Sequence, residues 1–162
     1  MGPGIEGIVQ TPLKIIPTHG GPVLHMLKAD SPSFAGFGEI YFSEVEPGAV
    51  KGWKRHLQTR QNFAVPRGCV RFVFYDGREG SPSRGMVQEY LLGRPDHYQL
   101  LSVPPLLWYA FACVGDEAGL IANLTDLMHD PAESESIPFD SPAAALIPYV
   151  WPEPDTGNGQ IP

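Results

Sequence analysis

Residues 48–68 read GAVKGWKRHLQTRQNFAVPRG. Two turn signals bracket the stretch, Glu46-Pro47-Gly48 before it and Pro66-Arg67-Gly68 at its end. Between them no apolar residues recur at helical intervals, and Ala49–His56 and Phe63–Val65 suit extended chain. In a strand alternate side chains share a face, so Gly52, Lys54 and His56 look one way and Lys51, Trp53 and Arg55 the other. One face therefore carries Lys54 and His56, two side chains able to move protons.

The same grammar extends in both directions. Residues 5–16 alternate as an edge strand broken by Pro12, and His19-Gly20-Gly21-Pro22 is a turn before a short strand at Val23–Leu27. Further strands are expected at Glu39–Val45, Val70–Tyr75, Met86–Leu92, Tyr98–Val103, Trp108–Val114 and Gly119–Leu124. Asp76-Gly77, Ser81-Pro82-Ser83, Gly93-Arg94-Pro95-Asp96 and Pro104-Pro105 supply the turns between them. About eight to ten short strands with no convincing helix predict an all-β sandwich or double-sheet jelly roll. From Asp130 onward the chain is rich in Pro, Ser and Glu without a period, and reads as a wrapping tail. One domain over 1–151 is expected, with 152–162 a flexible tail.

Composition narrows the function. The chain has 162 residues, of which 18 are Gly and 18 are Pro, yet 43% are hydrophobic, so it can fill a core but not build a helical bundle. A net charge of −7 argues against a nucleic-acid partner, which needs a basic face. Local clusters of Lys and Arg still admit an anionic small molecule. Cys69 and Cys113 sit in apolar contexts and predict two buried thiols rather than a disulfide framework. No apolar run approaches the ~18 residues of a membrane span, and no secretory leader pattern is present. No membrane partner is expected, and the cytoplasm is the expected compartment.

The spacing in 48–68 resembles the first signature of the cupins. Its marked positions fall on Gly48, Lys54, His56, Gln61 and Gly68, and those of the second signature on Pro104, Leu106, Tyr109 and Cys113. Cupin metals are held by imidazole and carboxylate donors. Lys54 would repel a cation, Gln61 and Tyr109 are poor ligands, and one imidazole cannot hold a metal. No metal and no cofactor are expected.

Over roughly residues 5–151 the chain resembles the dTDP-4-dehydrorhamnose 3,5-epimerase family, metal-independent cupins. The resemblance is carried by Gly48–Trp53, by the Arg-Gly turn and aliphatic strand of Arg67–Asp76, and by the proline pair with downstream aromatics at Pro104–Phe111. Thr125-Asp126, residues 130–135 (DPAESE) and Ile147–Trp151 complete it. The family implies a cupin-type double-stranded β-helix, a nucleotide-linked 4-keto-6-deoxy sugar as substrate, and a homodimer in which an N-terminal strand, here Val9–Ile16, adds to the partner's sheet. Its mechanism uses a His base oriented by an Asp from near the C-terminus, with a Tyr as acid. Those positions depart here: Lys54 stands at the base, Ala122 and Met128 at the two tyrosines, and Gln61 at a helper lysine. The N-terminal set that contacts the nucleotide is replaced around Gly20, Gly21, Val23 and His25.

A local set on the same face can replace it. The frame places Lys54, His56, Gln61 and Tyr109 around one cavity. A lysine buried beside another cation gives up its proton more readily, so Lys54 is the candidate base, with Tyr109 or His56 as donor. The opposing reading has Lys54 reaching solvent beside an acidic residue. Asp140 stands one position from the family's orienting Asp and is its candidate replacement. Lys51, Arg60 and Arg71 are assigned to an anionic substrate, with Gln61 and Trp108 as further binding residues. The activity expected is an epimerase-like isomerase working by proton abstraction next to a keto group. A different proton transfer, such as a cyclisation or elimination, and a catalytically silent sugar-binding cupin are the alternatives.

Overall fold

The computed structural model describes residues 4–152, so the tail expected at 152–162 lies, beyond Pro152, outside the described residues. The strands are β1 Val9–Pro12, β2 Ile15–Ile16, β3 Val23–Leu24, β4 Glu39–Val45, β5 Val50–His56, β6 Gln61–Arg67, β7 Cys69–Tyr75, β8 Val87–Gly93, β9 Gln99–Val103, β10 Trp108–Cys113, β11 Gly119–Thr125 and β12 Ser134–Ser136. The described residues contain no α-helix, only 3-10 turns at Pro131–Glu133 and Ala144–Leu146. Two five-stranded antiparallel sheets are ordered β1-β9-β6-β11-β4 and β12-β5-β10-β7-β8, with β2 and β3 forming a separate ribbon. From β4 to β12 the chain changes sheet at every connection except the β7–β8 hairpin. That alternation is a jelly roll with two inner faces opposed, the all-β class expected.

Boundaries follow the punctuation. Glu39–Val45 stops before Pro47-Gly48, and β1 stops at Pro12 on a sheet edge, where a missing N–H costs little. The segment after Asp130 is more ordered than its composition suggests. Its β12 pairs with β5, Ser134 opposite His56 and Ser136 opposite Lys54, and closes that sheet's edge.

Phe63, Val65, Val70, Phe72, Phe74, Leu101 and Ile121 fill the space between the sheets. A second apolar layer lies outside the β5-β10-β7 surface, where Trp53, Val73 and Ala110 are covered by Ile147 and Trp151 of the tail. The Trp53 ring centroid is 6.1 Å from that of Trp151 and 6.3 Å from that of Phe139. The tail therefore wraps as expected, over the outer face.

One detail of β5 changes which side chains share a face. Tyr109 pairs with Lys54, but Ala110 pairs with Gly52 and Phe111 with Lys51, so Trp53 is an extra residue in a β-bulge. Gly52 makes this possible. Its φ is +129°, and a Cβ there would lie 2.6 Å from the Ala110 Cβ. Strict alternation is thereby corrected: Lys51 joins Lys54 and His56 on the inner side, while Trp53 and Arg55 face out.

Candidate functional site

His56 ends β5 on the inner face and is 7% exposed. Its Nδ1 lies 2.7 Å from Oε2 of Glu133, which sits on the last residue of the Pro131–Glu133 turn. That turn is built locally: Asp130 caps it by accepting from the Ala132 N–H at 2.9 Å, and Pro131 supplies a preset first position. Glu133 is fixed in turn by the Gln58 and Thr59 N–H groups, which donate to its Oε1 at 2.8 Å each. Burial works against its charge, but these two bonds and the one from His56 outweigh it and hold the carboxyl at about 2.

An ionised carboxylate can only accept, so Nδ1 carries the proton and Nε2 the lone pair. Burial lowers the His56 pKa from its ordinary value, and the bond to Glu133 recovers part of that. The ring therefore rests neutral at neutral pH. Its Nε2 is buried and has no hydrogen-bond partner among the described residues. A neutral imidazole with a carboxylate behind it and an unpartnered lone pair in front has the arrangement that general-base chemistry requires.

The cleft in front of it is lined by Tyr41 and Glu39 of β4, Thr125 of β11, Thr59, His129 and Glu133. Tyr109 of β10 lies next to His56, ring planes 11° apart and centroids separated by 6.4 Å, and packs against Phe63 and Phe74. Burial drives its hydroxyl far above the usual tyrosine range. Gln61, fully buried in β6, accepts from Asn123 Nδ2 at 3.3 Å, and the same amide donates to the Tyr41 oxygen at 2.8 Å. Lys54 is half-buried directly across from Tyr109.

The expected set is thus brought together in part. His56, Lys54, Tyr109 and Gln61 share the inner face. Asp140 does not join them: it is exposed in the turn after Phe139, whose ring packs on Trp53 outside the sheet, and Glu133 provides the carboxylate instead. Arg71 is also displaced outward, paired with Glu89 at 3.3 Å. Trp108 precedes the inward Tyr109 and so faces out, with the Arg55 guanidinium 4.6 Å from its ring centroid. Lys51 lies towards the start of β5, its Nζ donating to the Glu44 carbonyl at 3.1 Å, and Arg60 is half-exposed, its N–H on Asp126 Oδ1. Glu133, Tyr41 and Asn123 were not singled out by sequence. Among the described residues, no group of three or more His, Cys, Asp and Glu side chains is placed to hold a metal.

Known proteins resemble this chain closely. No protein-family model matches it. A dTDP sugar isomerase from Desulfovibrio desulfuricans G20, known from its crystal structure, is 54% identical with a TM-score of 0.87, covering 91% of this chain and 92% of that one. The probable low-salt glycan biosynthesis epimerase Agl13 of Haloferax volcanii is 29% identical over 142 residues, 85% of this chain and 90% of that protein. A dTDP-6-deoxy-D-glucose-3,5-epimerase from Legionella pneumophila shares the fold at 19% identity, with a TM-score of 0.80 over 96% of this chain and 84% of that one.

Proposed function

The chain belongs with the dTDP sugar isomerases, and we propose on that premise that it is an epimerase-like isomerase of a nucleotide-linked 4-keto-6-deoxy sugar. The observation that carries this reading is the His56–Glu133 pair with Nε2 buried and unpartnered among the described residues. A carbon next to a keto group is acidic enough for a neutral imidazole to deprotonate when a cation or hydrogen-bond donor meets the enolate oxygen. His56 takes the proton, and Glu133 stabilises the imidazolium. Lys54, two residues along the same strand, supplies the positive charge for the enolate oxygen. The base is therefore assigned to His56 rather than Lys54, because His56 has the carboxylate that fixes its tautomer.

Lys51 and Arg60 are assigned to the diphosphate. Among the described residues neither is paired with a carboxylate, whereas Arg55, Arg67, Arg71 and Arg78 all are. The reaction needs no metal. The enzyme works in the cytoplasm as a homodimer. The two free thiols are in keeping with that compartment.

The test is solvent exchange. Incubated in deuterated water with a 4-keto-6-deoxy nucleotide sugar, the protein should wash deuterium into the carbon beside the ketone, with or without a chelator. His56→Asn should slow this by about 10²–10⁴. Exchange that survives His56→Asn but is lost in Lys54→Met would return the base to Lys54. Binding without exchange, across several such sugars, would leave a sugar-binding protein.

A further inference from the structure

Inversion at carbon needs a second proton-handling group, on the face of the enolate turned away from the base. We propose that Tyr41 is that group, the acid that returns the proton; the assignment rests on the epimerase reading above. Tyr41 stands on β4 in one sheet and His56 on β5 in the other, and both line the same cleft. The cleft leaves only about 10 Å³ in this structure, so the walls must part to admit a sugar; a flat enolate between them would present one face to Nε2 and the other to the phenol.

The hydrogen bonds around Tyr41 suit a donor. Asn123 Nδ2 gives one hydrogen to the phenolic oxygen at 2.8 Å and the other to Gln61 Oε1 at 3.3 Å. The Tyr41 oxygen is thus an acceptor in that bond, which leaves its own hydrogen for another partner. The same Asn123 N–H is in place to stabilise the phenolate once the proton has gone. Burial, with Glu39 and Glu133 nearby, keeps the phenol protonated at neutral pH.

Other candidates stand on the wrong wall or are already engaged. Tyr109 and Lys54 share the sheet of His56, so a proton from either arrives on the face the base has just left. Tyr109 is also enclosed by Phe63 and Phe74. Glu39, on the same wall as Tyr41, is held as an acceptor by the His129 N–H at 2.9 Å.

The step balances without a co-reactant. The carbon-bound proton goes to His56 Nε2, and its electron pair moves into the enolate. The enolate carbon then forms a new C–H bond with the Tyr41 proton as the O–H bond breaks. Imidazolium and phenolate return to their resting forms by exchange with water.

Tyr41→Phe separates the two half-reactions. The variant should still wash deuterium into the substrate, because the enolate can be reprotonated by His56 from the face it left. Formation of the inverted sugar should fall by about 10²–10⁴. Persisting exchange also demonstrates that the variant is folded. Inverted product formed at the wild-type rate, or exchange and product falling by the same factor, would overturn the assignment. A wild-type protein that exchanges no proton with any 4-keto sugar removes the epimerase reading, and the donor with it.

Discussion

At the scale of single residues the chemistry turns on which ring nitrogen of His56 carries its proton, and that choice is made by Glu133. Replacing Glu133 by Gln keeps an oxygen that can accept from Gln58 and Thr59, so the turn should persist. The amide nitrogen, however, would donate to Nδ1 where the carboxylate accepted, and would force the ring proton onto Nε2. The lone pair would then face the wrong way, and deuterium exchange should fall by about 10²–10⁴. The pH profile carries a second mark. His56 must be neutral to act, so the rate rises as pH rises through its pKa, which burial holds below 6.5. In the wild-type protein that acid limb lies below 6.5 and the rate is flat through neutrality. Glu133 raises the His56 pKa, so in Glu133→Gln the limb should move to still lower pH. A limb that stays where it was, with an unchanged rate, would show that the carboxylate does not act through the ring.

At the scale of elements, the bulge in β5 sets the site. Gly52→Ala places a Cβ 2.6 Å from the Ala110 Cβ and 2.7 Å from the Tyr109 carbonyl oxygen, at a φ of +129° that side chains rarely adopt. A melting curve should show a loss of at least about 1–3 kcal/mol, and exchange should fall because Lys54 and His56 hang on the same strand. Unchanged stability would mean that the bulge is not needed. This element also marks how far sequence carries. The strands were legible because Gly and Pro punctuate them, and Glu39–Val45 is found as expected. The face of Lys51 was not, because alternation knows nothing of an extra residue that only the partner strand reveals. Trp108 could have been excluded at once, since it neighbours Tyr109 and the two cannot both point inward. β12 left no signal: Ser134-Glu135-Ser136 has no strand propensity, and its order comes from the open edge of β5. Glu133 was hidden for the same reason, lying in an acidic turn whose partner is 77 positions away in sequence. Asp140 misled because nearness in sequence to a family position says little about which side of a sheet the tail covers.

At the scale of the whole molecule, the two sheets are protected unequally. The outer face of the β5-β10-β7 surface lies under the tail, whereas β4 is an uncovered edge of the other sheet. Two of its three exposed side chains are apolar, Phe42 at 61% and Ile40 at 45%, with Glu44 the third, and Phe37 just before the strand is 65% exposed. Apolar side chains clustered on an open strand edge favour a second sheet against them. A second copy of the chain would cover that strip, and a stable interface takes about 800 Å² from each partner. Light scattering on the eluting protein should therefore give twice the 17.7 kDa of one chain at micromolar concentration. Phe42→Arg would put a charge into the buried strip and should shift the protein to single chains. Val150→Arg, at a position 90% exposed on the tail that covers the opposite sheet, should leave the mass unchanged and serves as the control. A single-chain mass for the unaltered protein would remove the dimer. A dimer that tolerates Phe42→Arg would move the interface away from β4, towards the β1 edge at the other end of the same sheet, where Val9 is 49% exposed.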